Sequence, residues 1–293
     1  MINFSLPDYY GHPELVFEFL RLQKEKPEIF IENRKIDSIY GFPGHLSWSG
    51  GREVGCKMDP MNVYRLINDY RHRHPDIKIR HTCTNSLIDQ YEIYNKASNN
   101  FIQYCEREGD SIIANSDILI EYIKDKYPKY DIVYSTTRGA FSLEEINRLT
   151  EDPKHTVVIH YNDNHNFPLF SALKHPEQVD LIAADICKSN CPYRQIHYES
   201  ISEIQQGVPS RVGHEFRCVW DTSENFYDVI QLPHAITNQD IDFYYKEFGI
   251  NHYKMAGRNE RIPLVIEAFL YYLIKPEFHN RIRQDLLLKF MPI

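Results

Sequence analysis

A chain of 293 residues is long enough for one large domain, and 42% hydrophobic with 25% charged residues is typical of a folded globular protein. The net charge of −8 argues against a broad nucleic-acid-binding face. There is no apolar run long enough for a membrane span and no basic-then-apolar secretion signal at the N-terminus, so we predict a cytoplasmic protein without a membrane partner. Its six cysteines are therefore expected to be reduced, as metal ligands, reactive groups or core residues rather than a disulfide framework.

Strand-like and helix-like patterns alternate along the chain. Short apolar runs predict strands at 2–6, 36–40, 77–84, 111–114, 131–134, 155–161, 179–184 and 250–255. Amphipathic patterns predict helices at 12–26, 59–74, 88–108, 117–126, 142–149, 167–174 and 262–274. This alternation, without a linker or repeat, predicts a single α/β domain over 1–293 with a (β/α)8 TIM-barrel-like fold, and a doubly wound sheet is the alternative. Residues 185–249 would be a cysteine-containing insertion before the last strand.

The residues just after the predicted strands are unusually polar. Active sites of such barrels lie at this rim. Candidate substrate-binding and catalytic residues at the strand ends are Asn115, Asn162, Asn164, Asp185 and Arg258. Helix capping and turns account for about half of such polar positions. The consecutive polar residues after the fifth and sixth strands exceed what one cap needs, and they predict a polar pocket.

Two further segments carry candidate side chains. Gly50 and Gly51 precede Arg52, and this run either cradles an anionic group or forms a plain turn. Lys254 alternates with Tyr253 and Met255 in the last predicted strand, so it points either into the barrel or toward the helices. A buried lysine needs a partner, and Asp185 is the candidate.

The sharpest local pattern is a group of cysteines after the seventh strand. Cys187 and Cys191 stand four residues apart, and Asn190 and Pro192 favour a turn that lets both thiols face one concavity. Cys218 follows closely enough to fold back onto them. We therefore predict that the three thiols converge on one metal or cluster, although a C-x3-C pair is less specific than C-x2-C and a free cysteine is also an ordinary core residue.

The segment YKMAGR at 253–258, preceded by GINH and followed by a helix ending YYLIKPEF, resembles the closing strand of the collagenase-like peptidase family U32, where an FKIEGR-type segment stands. The resemblance covers about 180–275, and strand order extends it to the rest. It implies a barrel with a 4Fe–4S cluster held by four cysteines, of which Cys187, Cys191 and Cys218 match three. The fourth would be Cys56 or Cys83, or the iron would keep an open site; zinc is the alternative metal.

Several members of that family hydroxylate aromatic rings in tRNA, ribosomal RNA or quinone precursors without oxygen, and some are reported as peptidases. The resemblance thus implies an iron–sulfur enzyme that modifies a small aromatic or RNA-base substrate at the barrel mouth. The predicted roles are catalytic for Asp185, Lys254 and Arg258, cluster-binding for Cys187, Cys191, Cys218 and Cys56, and substrate-binding for Asn162, Asn164, Asn115 and Arg52. The alternative is a non-catalytic, metal-stabilised protein that binds a protein partner. Peptidase activity comes third, because the E-x-F-x-x-G signature is replaced by DLIAAD at 180–185.

Overall fold

The computed structural model describes residues 1–51, 60–207, 225–257 and 261–290. Eight parallel strands follow one another in chain order around a closed barrel, and the last pairs with the first. The strands are β1 (Ile2–Pro7), β2 (Arg34–Gly41), β3 (Lys78–Cys83), β4 (Ser111–Ala114), β5 (Asp131–Tyr134), β6 (His155–Val158), β7 (Val179–Ile182) and β8 (His252–Lys254). The predicted (β/α)8 barrel is confirmed, and closure rules out the doubly wound sheet.

Helices connect the strands and form the outer layer. They are α1 (Pro13–Glu25), α2 (Pro60–Arg73), α3 (Lys96–Cys105), α4 (Asp117–Lys126), α5 (Leu143–Leu149), α6 (Phe167–Ser171), α7 (Arg194–Gln206), α8 (Phe226–Val229), α9 (Asn238–Phe248), α10 (Ile262–Leu273) and α11 (His279–Phe290). In the part of the chain that the structure describes, no helix combines the length and apolar character needed to cross a membrane.

Side-chain caps fix where several helices begin. Ser142 and Glu145 form the predicted capping box at α5, and Ser116 caps α4. The predicted helix over 88–108 is wrong in extent, because Asn95 caps a helix that begins only at Lys96. The predicted cap of α2, Asp59, lies outside the described residues.

The barrel interior changes character from bottom to top. Near the amino ends of the strands, Arg80 of β3 forms a buried ion pair with Asp180 of β7. Above this pair is an apolar layer, formed by Tyr40, Ile113, Val133, Val158 and Ile182. Above the apolar layer, at the carboxyl ends of the strands, the interior becomes polar again and opens into a cavity. The interior of a barrel of this size is filled by side chains, so the cavity is confined to the mouth.

Candidate functional site

The cavity at the barrel mouth is small, with a volume of about 60 Å³, and it is partly open to solvent. Its walls come from the ends of four strands, from the turn after β5 and from α7. The described residues that line it are Tyr40, Gly51, Thr82, Thr84, Ser135, Thr136, Thr137, Ile182, Asp185, Arg194, Tyr198, Lys254, Ala256 and Gly257. The position is the rim where barrel enzymes bind their substrates. The polar triplet 135–137 lies where the sequence predicts a polar pocket.

Helix α7 lies across the mouth of the barrel. Arg194, Tyr198 and Ser202 are spaced four residues apart and therefore share one face of the helix. The first two line the cavity. At the other end, the Ser202 hydroxyl accepts hydrogen bonds from the backbone N–H and the hydroxyl of Ser86, both at 3.0 Å. The helix thus spans from the end of β7 to the loop after β3 and forms a roof over the cavity.

The roof helix is fixed to the barrel by an ion pair between Asp185 and Arg194. The guanidinium donates from Nη2 to Oδ2 at 2.8 Å and from Nη1 to Oδ1 at 3.2 Å. Oδ1 also accepts the backbone N–H of Cys187 at 2.8 Å. The guanidinium carbon lies 4.0 Å from the ring centroid of Tyr161 and 5.2 Å from that of Tyr198. Both charges are buried, and this two-pronged, stacked geometry is one that lysine cannot reproduce.

Cys187 and Cys191 lie on the loop between β7 and α7, where both are half-buried free thiols. Burial raises the pKa of the Cys187 thiol, although the nearby Arg194 opposes the shift. The described ranges contain no group of three His, Cys, Asp or Glu side chains placed to hold a metal ion. Cys218 and Cys56 lie outside those ranges. Convergence of the cysteines on one cluster therefore stays a prediction, with two of its thiols on one loop.

Cys83 faces away from the cavity. Thr82 and Thr84 line the cavity, so the alternation of β3 directs the residue between them outward to the helices. Cys83 is fully buried there, and burial together with the neighbouring Cys105 raises the pKa of its thiol. Cys83 is a core residue on the helix side, which removes it as the fourth ligand suggested from the sequence.

Lys254 points into the barrel mouth, which settles the two orientations left open by the sequence. Its Nζ lies 4.3 Å from the ring centroid of Tyr40, at the distance of a cation–π contact. The Tyr40 hydroxyl donates to the backbone carbonyl of Met255 at 2.5 Å and so fixes the ring. The carboxylate of Asp185, the partner expected for Lys254, forms its ion pair with Arg194.

Several polar atoms around the cavity have no hydrogen-bond partner among the described residues. They include the hydroxyls of Thr82, Thr84 and Thr136, all on the cavity wall. Asn115, a predicted substrate-binding residue, donates from Nδ2 to the Thr84 carbonyl at 3.2 Å, while its Oδ1 is also buried without a partner. Buried polar atoms are normally hydrogen-bonded, so these four atoms mark where a ligand or water would bind.

Asn162 and Asn164 support the cysteine loop from the side of β6. The exposed Asn162 accepts the backbone N–H of Asn190 at 3.0 Å through Oδ1. Asn164 is fully buried, and its Nδ2 donates to the carbonyls of Ile182 at 2.8 Å and His234 at 2.7 Å. These contacts hold the end of β7 and the adjoining loop in place. Direct contact of either asparagine with a substrate stays a prediction.

His234 completes this support. Its Nε2 donates to the backbone carbonyl of Asp185 at 2.8 Å, and its Nδ1 lies 2.6 Å from the Ser189 hydroxyl. In a neutral ring with its proton on Nε2, Nδ1 accepts from that hydroxyl. Burial lowers the pKa of His234, in agreement with that tautomer. The imidazole thereby ties the backbone at Asp185 to the loop that carries both thiols.

The glycine pair has a structural explanation. A Cβ on Gly50 would stand 2.5 Å from the carbonyl oxygen of Thr84, so the close approach of two backbones requires glycine there. Gly51 has a φ of 76° and lines the cavity. The predicted anion-binding residue that follows, Arg52, and the predicted anchor Arg258 both lie outside the described residues.

The barrel with a polar cavity beneath a roof helix defines the chain as a (β/α)8 protein with a candidate active site at the usual rim. No family model matches the sequence, and no curated protein matches it. A solved structure described as the U32 peptidase Mk0906 is similar, with a TM-score of 0.55 and 12% identity over 88% of this chain and 93% of that one. At this identity the likeness supports a distant U32-like fold and nothing finer.

The sequence reasoning missed α7 and with it Arg194 and Tyr198. A signal was available in the four-residue spacing of Arg194, Tyr198 and Ser202 and in Gly207, which ends the helix with a φ of 66°. The helix also exposes Ile196 and Ile204, so its hydrophobic pattern does not stand out.

Proposed function

We propose that this protein is an enzyme of the U32 type that modifies a small polar or aromatic substrate in the cavity beneath α7. The observation that carries the proposal is the placement of a buried ion pair and a lysine around one cavity at the barrel mouth, with two thiols on the loop that joins this ion pair. Perturbed ionisable groups gathered in a cleft are typical of active sites.

Each side chain around the cavity has a proposed role. Lys254 supplies a positive charge that binds an anionic group or stabilises charge developing on the substrate. Asp185 positions Arg194, and the pair holds the roof that keeps water away from the cavity, which strengthens every charge interaction inside. Tyr40 and Tyr198 present aromatic rings to a planar substrate. The predicted contributions of Arg258, Arg52 and Asn115 belong to the same proposal.

The donor set fits half of a four-cysteine site. Cys187 and Cys191 would supply two thiolates of a 4Fe–4S cluster, and Cys218 and Cys56 would supply the others. Such a cluster, when bound, would transfer electrons or hold substrate at an open iron. The roles given above to Lys254, Asp185 and Arg194 do not depend on it.

Anaerobic purification followed by iron and sulfide analysis tests the cluster. The expected result is about four irons per chain, falling sharply in Cys187→Ala and Cys191→Ala. Cys105→Ala is the matched control, because this thiol is buried behind β3 and should leave the iron content unchanged. Equal iron content in all three variants would contradict the cluster assignment.

A non-catalytic, metal-stabilised protein that binds a protein partner is the second candidate. The exposed side chains of Tyr193, Ile196 and Ile204 on and beside the outer face of α7 favour it. Zinc in place of iron in the purified protein would support this reading and count against the iron–sulfur enzyme.

A further inference from the structure

We propose that the groove between α1, α2 and α11 is a binding site for a small phosphorylated ligand, held by Lys24, Arg73 and His74. This groove lies on the outside of the barrel, and none of its described lining residues also lines the cavity at the mouth. It is therefore a second site, separate from the one in the proposed function.

The groove has a volume of about 710 Å³, within the range of small-molecule sites. Side chains of α1 form one wall, the last turn of α2 and His74 after it form another, and Lys289 of α11 also lines the space. Helices of a (β/α)8 barrel run back from the mouth, so the C-terminal turns of α1 and α2 lie at the opposite end of the barrel. A ligand here would be remote from the cavity beneath α7.

Part of the charge in the groove is already balanced. The Glu18 carboxylate accepts from Nη2 of Arg21 at 2.6 Å and from Nζ of Lys289 at 2.9 Å. Arg21 also pairs with Glu25. These two acidic and two basic side chains neutralise one another, so they offer little net attraction to a ligand.

A second group of lining side chains is basic and unbalanced. It consists of Lys24, His72, Arg73 and His74, and none of them has a carboxylate partner in the part of the chain that the structure describes. Glu14, the acidic lining residue outside the balanced group, lies about 15 Å from Lys24 along the axis of α1. The end of the groove near Lys24 therefore carries an excess of positive charge.

Arg73 is held by an aromatic stack rather than by a carboxylate. Its guanidinium carbon lies 5.1 Å from the ring centroid of Phe17, and Phe17 stacks on the buried ring of Tyr70 with centroids 4.0 Å apart. The ring of His74 lies 6.0 Å from the same Phe17 ring. Among the described residues the Arg73 guanidinium has no hydrogen-bond acceptor, and its planar fork matches two oxygens of one phosphate.

The basic side chains converge at an electrostatic cost. Burial lowers the pKa of His74, and the positive charges of Lys24 and Arg73 lower it further. Basic residues in the last turn of a helix also compensate the helix dipole. The dipole accounts for the sign of these charges, but not for cations from two helices that repel one another across one groove. A bound anion would remove that repulsion.

Charge selects the kind of anion. Lys24 and Arg73 carry two permanent positive charges, and the imidazoles of His72 and His74 each add one when protonated. A phosphate monoester carries about −1.5 to −2 charges, which matches this set, whereas a carboxylate carries only one. The net charge of −8 disfavours a nucleic acid as the ligand, so we assign the groove to a small molecule with a phosphate group.

Inorganic phosphate is the probe, titrated into the purified full-length protein while NMR follows the ring protons of His74. We expect a Kd of about a millimolar, since the ligand is small. The pKa of His74 should rise on saturation, because a bound anion favours the charged imidazole. Arg73→Gln and Lys24→Gln should each raise the Kd at least about fivefold, because a contact to a charged group is lost.

Arg65→Gln is the matched control. Arg65 is an exposed arginine of the same helix, α2, and it does not line the groove, so its replacement removes the same charge elsewhere. The Kd for phosphate should then change by less than about twofold, since salt screens distant surface charges. Acetate, titrated in parallel, should bind several-fold more weakly than phosphate.

The unliganded protein gives an independent readout. Arg73→Gln should raise the pKa of His74 toward 6.5, because one source of repulsion is removed. An unchanged pKa would show that the cations do not converge and would overturn the site. So would absence of phosphate binding, an equal loss of affinity in Arg65→Gln, or acetate binding as tight as that of phosphate. A short single-stranded RNA that shifts the His74 signals at lower concentration than phosphate would assign the groove to nucleic acid and overturn the small-molecule site.

Discussion

His81 gives the fold a defined sensitivity to acid. It lies on the outer face of β3, fully buried, with Nδ1 hydrogen-bonded to the Tyr9 hydroxyl at 2.9 Å. The rings of Phe101 and Tyr130 pack edge-on against it, with centroids 5.5 and 5.9 Å away. Burial in this aromatic cluster lowers the pKa of His81 from 6.5 to about 3, and Arg71 contributes to the shift.

The sign and size follow from proton linkage. Between pH 6.5 and pH 3 the unfolded chain binds a proton at His81 that the folded protein excludes, so the stability present above pH 6.5 is lost as the pH falls. Each pH unit well inside this window removes about 1.4 kcal/mol from the free energy of unfolding. His81 alone therefore costs about 2–3 kcal/mol between pH 6.5 and pH 4.5.

Urea unfolding at a series of pH values from 7 to 4.5 measures this loss, in wild type and in His81→Asn. The substitution adds a pH-independent offset, because asparagine does not titrate, so the slope of the difference between the two curves isolates His81. The variant should lose less stability with acid than the wild type does. A flat difference would show that the buried ring accepts its proton at an ordinary pKa, which would refute the reasoning from burial.

Three further changes test the packing and the site. Asp180→Asn leaves the buried Arg80 uncompensated and should cost about 3–5 kcal/mol in urea unfolding, and a double change to apolar residues at both positions should recover much of that loss. Ser142→Ala removes the capping box of α5 and should lower the free energy of unfolding by about 1 kcal/mol. Arg194→Lys breaks the two-pronged contact and should cost about 1–3 kcal/mol by thermal melting, whereas Arg138→Lys, at an exposed pair, should change stability by less than about 0.5 kcal/mol.

The strand order was predictable because barrel strands are buried on both faces. Every residue of the run at 179–184 and of the sequence SIIA at 111–114 is buried. Such apolar runs are easily distinguished in the sequence from the polar turns around them. The triplet 135–137 and Asp185, which the sequence places just after strands, line the cavity at the mouth. The order of the strands predicts that these residues lie at the same end of the barrel. It does not predict which of their side chains contact one another.

The parts that failed have different causes. The helix predicted from residue 88 begins only at Lys96, after a 3-10 turn at Glu92–Tyr94, because the side chain of Asn95 accepts the backbone N–H of Ser98 and caps the helix there. Helix α7 is recognisable by what its polar face touches, namely Asp185 at one end and Ser86 at the other. The direction of Cys83 required the register of β3, which the composition of the strand does not give.

Asp185 links the cysteine loop to the roof helix. One carboxylate holds the Cys187 backbone and the Arg194 guanidinium together, and Oδ1 serves both. Movement of the roof helix away from the mouth would break the Arg194 bonds to the same carboxylate whose Oδ1 holds the Cys187 backbone. Under the proposed function, ligand binding beneath the roof and metal binding on the loop would be thermodynamically coupled through this residue, with the same coupling in both directions. A ligand bound in the cavity would then change the affinity of the thiols for metal, and this change could be measured.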